Sequence, residues 1–330
     1  METKSGTVAL MGRPNAGKST LLNTLLTEKL AIVSDKPQTT RHRLVGILSD
    51  DRGQMVFYDT PGMHRPLHHL NRQMVRHAVD ALESADVICV ITDSSVAFGS
   101  GDRYLLDLVS KAKGLKVAVL NKVDKILKPS LLPLMRLYDE PKIFEEIVPI
   151  SAITASGTDE LLDILWGLLP IGERRYDPDL QTIHSERFLV AERIREKVLH
   201  LTHAELPFTT AVVLESWETI QSESKAKAEL LRIGAVILVE RSSQKRILVG
   251  KRGSMIKEIG IAARHDLEQF LGKRVHLDLF VRHEPRWREN RQILALMERD
   301  LIGYFDAVDE GEPPTQNFEA SRWAIRRSDP

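Results

Sequence analysis

The chain has 330 residues, 42% apolar and 28% charged, with Lys plus Arg and Asp plus Glu both at 46. That length accommodates two domains, each with its own core. A formal net charge of zero excludes bulk electrostatics as a source of partner preference and leaves only local charge. Cys89 is the one cysteine, inside the apolar run 87–91. It excludes a disulfide framework and reads as a buried thiol in a reducing compartment. No apolar stretch reaches bilayer length, and the first eleven residues are too short and polar for a signal peptide, so a cytoplasmic protein is expected.

The first element is an apolar strand, Thr7 to Met11, leading into Gly12-Arg13-Pro14-Asn15-Ala16-Gly17-Lys18-Ser19-Thr20 and then a helix over 18–29. Strand, glycine-rich turn and helix in this order fit GxxxxGK(S/T). Gly12 and Gly17 let successive N–H groups turn toward phosphate oxygens, and the helix start adds its positive dipole end. Lys18 is placed for the β- and γ-phosphates of a nucleoside triphosphate, and the Ser19 hydroxyl for Mg²⁺. A strand-like stretch 30–34, a polar segment 35–43 and the alternating run 44–48 follow. The apolar run 54–58 ends on Asp59-Thr60-Pro61-Gly62. After a phosphate loop, that ending suits Asp59 to hold Mg²⁺ through water and Gly62 to bring a backbone N–H to the γ-phosphate.

The strand 115–120 delivers Asn121-Lys122-Val123-Asp124. A carboxylate at Asp124 can accept from N1–H and the exocyclic amine of guanine, whereas adenine would leave it unpaired. Asn121 suits N7 and a tie to the phosphate loop, and the Lys122 stem can cover the base. A last strand, 147–150, ends on Ser151 and Ala152, whose N–H is placed for guanine O6.

These four motifs resemble those of translation-factor-type GTPases over residues 5–170. The resemblance implies a doubly wound, mostly parallel α/β sheet with GTP or GDP at the strand C-terminal ends. Helices are expected at 71–84, 100–113 and 158–168. By position Thr40 becomes the Mg²⁺-ligating threonine, with Thr39 as its competitor; 35–43 becomes the first switch and 62–72 the second. Where Ras-type proteins carry a water-orienting Gln, this chain has Met63, which cannot align water. Asn15 takes the place of a phosphate-loop glycine. It either shapes the loop or offers an oxygen to K⁺, as proteins of this resemblance do, and slow, K⁺-stimulated hydrolysis is then expected.

Residues 173–185 are polar and punctuated by proline, as in an interdomain linker. A helix over 186–201, strands near 209–217 and 233–239 and a polar arm at 218–229 follow. The run Lys245 to Val249 reads as a strand ending on Gly250-Lys251-Arg252-Gly253, with a helix from Ser254. Two glycines spaced by three let a nucleic-acid backbone approach, with Lys251 and Arg252 facing phosphate. Lys245, Ser254, Ile256 and Lys257 join them as RNA contacts, and Ile247, Val249, Ile256 and Ile259 are the expected apolar groove. Between Arg241 and Arg274, nine Lys and Arg stand against three Asp and Glu. This stretch resembles a smaller α+β, type II KH domain over 186–284, set in a second domain of 186–290.

A GTPase domain over 1–172 joined to a C-terminal KH domain resembles the Era family of bacterial ribosome-assembly GTPases. GRPNAGKST, PQTTRHR (37–43), DTPG, NKVD, AELP (204–207), ILVER (237–241) and GKRGSMIKEIG (250–260) carry that resemblance. It implies a mostly monomeric protein that binds the 3′ end of 16S rRNA, acts on the immature 30S subunit in step with growth, and touches the inner membrane peripherally. No amphipathic lipid-binding helix stands out. Residues 291–330, rich in Asp, Glu and Pro toward the end, are expected to be a partly disordered tail. Two other readings remain at this level: a constitutive RNA-binding module with structural nucleotide, and a partner in RNA modification. Residues 186–290 hold no nucleophile or metal constellation for the latter.

Overall fold

A computed structural model describes residues 2–36, 39–62, 69–202, 206–220 and 229–301, in two compact units that part between Ile183 and His184. Several expectations fall outside the described residues: most of the second switch with Met63, positions 37–38 of the first, the start of AELP, the arm 221–228 and the tail beyond 301. Among the described residues no helix is long and apolar enough to cross a membrane.

The first unit is built on strands β1 (Lys4–Gly12), β2 (Leu44–Asp50), β3 (Gly53–Asp59), β4 (Val87–Asp93), β5 (Leu115–Asn121) and β6 (Glu146–Pro149). Their order is β2-β3-β1-β4-β5-β6, with only β2 antiparallel to its neighbour. Helices α1 (Lys18–Leu26), α2 (His69–Ser84), α3 (Ser100–Ser110), α4 (Leu131–Asp139) and α5 (Thr158–Leu168) alternate with the strands. Central strands covered on both faces need unbroken apolar runs, and Val8 to Met11, Val87 to Ile91 and Val117 to Leu120 are all buried. In this topology the loops after β1, β3, β4 and β5 meet at one edge.

Two expectations change here, and a third gains detail. Helix α1 stops at Leu26 because Thr27 turns left-handed, with φ 57°. The stretch 30–34 is not a strand. Its apolar signal comes from Leu30, Ala31 and Ile32, which are buried while Asn23 pins the backbone. The Asn23 Oδ1 accepts from the N–H of Leu30 (3.0 Å) and Ala31 (2.8 Å), and its Nδ2 donates to the Ala31 carbonyl. The expected linker, 173–185, contains the point where the units part, and its first part is tied to the sheet of the first unit. Ile47 N donates to the Gln181 carbonyl at 2.7 Å, Thr182 Oγ1 to the Val45 carbonyl at 2.6 Å, and Gln54 Oε1 accepts from Arg175 and Tyr176 N–H. Edge strand β2 has backbone groups to satisfy, and the segment satisfies them.

The second unit runs α6 (Glu186–Leu201), α7 (Leu206–Thr209), β7 (Thr210–Ile220), β8 (Leu230–Val239), α8 (Ser242–Val249), α9 (Ser254–Leu271), β9 (Arg274–His283) and α10 (Arg291–Arg299). Its sheet has the order β7-β8-β9, antiparallel then parallel. Val212, Leu214, Ile233, Ala235, Ile237, Val275 and Val281 share a core with Val190, Ile194 and Val198 of α6 and Ile259, Ala263 and Leu267 of α9.

The expected strand 245–249 is the helix α8. Three apolar residues in a row suggest a strand, but only Leu248 is fully buried, and its buried partner is Gln244, four residues earlier. Gln244 Oε1 also accepts from Glu240 and Arg241 N–H, closing the helix start. Residues 291–299 of the expected tail form α10. Asn290 caps it by accepting from Gln292 and Ile293 N–H, and Ser185 Oγ donates to the Asp300 carbonyl at its far end.

Candidate nucleotide site and nucleic-acid surface

The phosphate loop sits where β1 ends and α1 begins, and two of its glycines are required by close approach. A Cβ on Gly12 would fall 2.4 Å from the Ile91 carbonyl oxygen; one on Gly17, at φ +94°, would fall 2.3 Å from Asn121 Nδ2. Lys18 Nζ donates to the carbonyls of Gly12 and Arg13, each at 3.2 Å. Burial pushes the Lys18 ammonium below its ordinary pKa, and the charge of Asp59 opposes that.

Asp59, at the end of β3, is fully buried. Its Oδ2 accepts from Ser19 Oγ at 2.6 Å and Thr40 Oγ1 at 3.3 Å, and the two hydroxyls are 2.9 Å apart. Its Oδ1 is buried with no hydrogen-bond partner among the described residues. Desolvation raises the Asp59 pKa, opposed by the Lys18 charge and the two hydroxyl bonds. Two hydroxyls and a carboxylate carrying an unsatisfied oxygen form an all-oxygen donor set, which fits a hard divalent cation such as Mg²⁺. The geometry separates the two threonines: Thr40 joins this cluster, whereas Thr39 Oγ1 turns away to the Lys36 carbonyl at 2.6 Å. Thr60 Oγ1 also points inward, to the Leu10 carbonyl. Asn15, left-handed at φ 63°, donates from Nδ2 to the Asp35 carbonyl at 2.7 Å, joining the phosphate loop to the first switch segment.

The end of β5 supplies the second half. Asn121 Nδ2 donates to the Ala16 carbonyl at 2.9 Å, and its Oδ1 accepts from Lys122 N (2.7 Å) and Ala152 N (2.9 Å). One carboxamide therefore ties three loops together. The Ala152 N–H, expected at guanine O6, donates to the Asn121 Oδ1 in this structure. Ser151 Oγ donates to one oxygen of Asp124 at 2.6 Å, leaving the other for a base. Lys122 Nζ reaches the Asn15 carbonyl and Asp93 Oδ2, both at 2.6 Å, which stretches its stem along the cleft.

A cleft of about 630 Å³ lies among these loops, lined by residues 13–20, Thr40, Gly62, Lys122 and Lys125. Its size suits a nucleotide. Among the lining residues with no site role in the sequence reading are Thr92, Asp93, Val96, Asp102, Lys125 and Ile153. Asp93 had a signal, since it ends strand β4 at the edge where ligands bind. Burial raises its pKa, but the bonds from Lys122 and Ser95 prevail and hold it below the ordinary value. Asp102 is buried and pairs with Arg13 at 2.9 Å. Ile153 is 77% exposed beside Ala152.

In the second unit the GKRG segment joins two helices. Gly250 (φ 71°), Arg252 (φ 54°) and Gly253 (φ 79°) all have positive φ, so the loop juts outward between α8 and α9. Lys245, Lys251, Arg252, Ser254 and Lys257 are exposed around it. The expected groove is only partly there: Ile259 is core and Val249 and Ile256 lean on that core, leaving Ile247 open. Arg246, absent from the sequence reading, lines a depression with Ser242, Lys245 and Lys251.

The family model described as 50S ribosome-binding GTPase matches residues 7–122, and a KH domain model matches 212–288. GTPase Era of Syntrophus aciditrophicus (strain SB) is 45% identical over 291 residues, which is 88% of this chain and 94% of that protein. GTPase Era of Geotalea uraniireducens (strain Rf4) is 43% identical over 292 residues, 88% of this chain and 96% of that one. A crystal structure of Era with MgGDPNP and nucleotides 1506–1542 of 16S ribosomal RNA superposes with a TM-score of 0.85 at 37% identity, covering 91% of this chain and all of that one. A variant of Aquifex aeolicus Era bound to GDP and aluminium fluoride gives 0.84 at 37% identity, over 91% of this chain and all of that one.

Proposed function

The chain belongs to the Era family of GTPases, and from that premise we propose that it is a GTP-hydrolysing switch that binds the 3′ end of 16S rRNA during 30S subunit assembly. The observation that carries the nucleotide half is the meeting of Ser19, Thr40 and Asp59 within 2.6–3.3 Å at the mouth of a nucleotide-sized cleft. Lys18 and the loop 12–20 hold the phosphates. Asp124 selects guanine, Ser151 fixes its carboxylate, and the Lys122 stem covers the base. Ser19, Thr40 and Asp59 would hold Mg²⁺, which supplies charge neutralisation on the phosphates when bound. Thr40 belongs to the first switch segment, so its engagement with this cluster is how a bound γ-phosphate would order 35–43.

Met63 offers no water-aligning group, so we place the missing charge stabilisation on K⁺ near Asn15. The Asn15 carboxamide and the Asp35 carbonyl stand 2.7 Å apart at the phosphate loop, and both carry neutral oxygens of the kind K⁺ takes. The ligands of the two related Era structures, MgGDPNP in one and GDP with aluminium fluoride in the other, support Mg²⁺ and guanine nucleotide for the family.

The RNA half rests on the second unit, whose GKRG loop presents Lys251 and Arg252 on an outward turn beside the start of α9. The GTPase-domain family is described by the 50S subunit, but the relative that matches both units binds 16S RNA, which belongs to the small subunit. Monomeric action in the cytoplasm, and peripheral contact with the inner membrane, belong to the same reading and rest on the family alone.

The deciding experiment is Asp124→Asn, measured by nucleotide competition. Replacing the carboxylate removes the acceptor for N1–H and amine, so GTP affinity falls by at least tenfold while xanthosine triphosphate affinity rises. Unchanged GTP affinity contradicts the assignment of Asp124 to guanine.

A further inference from the structure

In the second unit, strand β9 lies at the edge of the sheet, and its odd-numbered residues Val275, Leu277, Leu279 and Val281 face the helices. The even-numbered residues therefore face the other way: His276, Asp278, Phe280 and Arg282. Among these Phe280 is anomalous. A phenylalanine normally buries most of its area, yet this one is 63% exposed, on a strand whose far edge is unpaired among the described residues.

Its surroundings point to the class of occupant. Arg282, His276 and Arg232 are all exposed on the same face, and Lys273 and Arg274 open the strand. The acids there pair with these basic side chains: Asp278 with Arg232 at 3.1 Å and His276 at 3.3 Å, Glu215 with Arg282 at 2.7 Å, and Glu229 with Lys273 at 3.6 Å. Pairs this exposed contribute little and yield readily to a phosphate. An aromatic face ringed by cations suits an unpaired base with its backbone. A docking protein would be expected to meet a larger apolar area than one ring.

The position is continuous with the GKRG loop. On α9, Gly260 stands seven residues from Gly253, about 10 Å along the axis. Leu279 Cδ1 lies 3.7 Å from where a Gly260 Cβ would be. Phe280 is the next residue, projecting past the sheet edge to the other face. A strand of RNA whose backbone lies on Lys251 and Arg252 and which follows the β9 edge reaches Phe280 within a few nucleotides.

We propose that Phe280 is a base-stacking platform for single-stranded RNA, extending the GKRG surface around the edge of the sheet to its far face. This deepens the RNA reading above and rests on it. The ring supplies affinity without reading base identity, since every base has a π-face.

The test measures affinity for a single-stranded RNA oligonucleotide carrying the 3′ end of 16S rRNA, and for copies with one abasic position moved along it. Phe280→Ala and Phe280→Leu should each weaken binding of the intact RNA about tenfold. Phe280→Trp should keep it and add an indole whose fluorescence RNA quenches. One abasic RNA should bind Phe280→Ala and the unaltered protein equally, marking the stacked base. Wild-type affinity of Phe280→Leu would overturn the proposal, because it removes the ring's face and keeps the apolar bulk. Gly253→Asp serves as the reference. If it weakens binding and Phe280→Ala does not, stacking alone is wrong. If neither variant weakens binding, the RNA reading of the whole unit falls with it.

Discussion

In the proposed mechanism Asn15 and K⁺ supply what Met63 cannot. The Asn15 side chain bridges the phosphate loop to the Asp35 carbonyl, and the one arginine that lines the cleft among the described residues, Arg13, is held by Asp102. Hydrolysis is therefore expected to run at least tenfold faster in K⁺ than in Na⁺ at equal ionic strength, and Asn15→Ala should abolish that difference while leaving GDP affinity within a few fold. Equal rates in the two salts contradict the K⁺ assignment. Much at this scale was legible in the chain: Lys18, Ser19, Asp59, Asn121 and Asp124 all stand at one cleft edge, because each is locked to a motif at a strand end. What escaped was pairing across the sequence. Nothing local marks Asp93 as the anchor of Lys122, or Asp102 as that of Arg13, since those contacts span 29 and 89 residues. The same holds for the bond from the Ala152 N–H to Asn121, 31 residues away.

Among elements, the loop between α8 and α9 shows where sequence pattern misleads. Periodicity cannot separate a short buried strand from a short helix with one inward row, and α8 is the second kind. The two glycines that follow are not equivalent. Gly250 has φ 71° and ψ 176°, a region essentially closed to side chains, and a Cβ there would sit 2.7 Å from Met255 N. Gly253 is left-handed at φ 79°, ψ 15°, with nothing within 4 Å of its Cβ position. Gly250→Ala should cost about 2–3 kcal/mol of stability in the second unit, and Gly253→Ala about 1 kcal/mol. Hydrogen-exchange protection of α8 and α9 reads that difference directly; equal losses would mean the loop is not held as described. Helix α10 was missed although its cap at Asn290 is local; the bond that holds its far end to Ser185 spans 115 residues.

For the whole molecule, the arrangement is two units with separate chemistry: a nucleotide cleft in one, a basic loop and sheet edge in the other. The division was readable from the motif order, and the units part between Ile183 and His184, inside the stretch 173–185 read as a linker. What the chain did not show locally is that the first part of this stretch completes the edge of β2. A switch requires that nucleotide state and RNA affinity be coupled, with RNA binding one state better than the other. The most direct test is the affinity of the full-length protein for a 16S 3′-end RNA with a non-hydrolysable GTP analogue and, separately, with GDP, Mg²⁺ being constant. The account predicts at least five-fold tighter binding with the analogue, the lower end of ordinary coupling energies. Equal affinity in the two states would contradict it and leave a constitutive RNA-binding protein with a structural nucleotide.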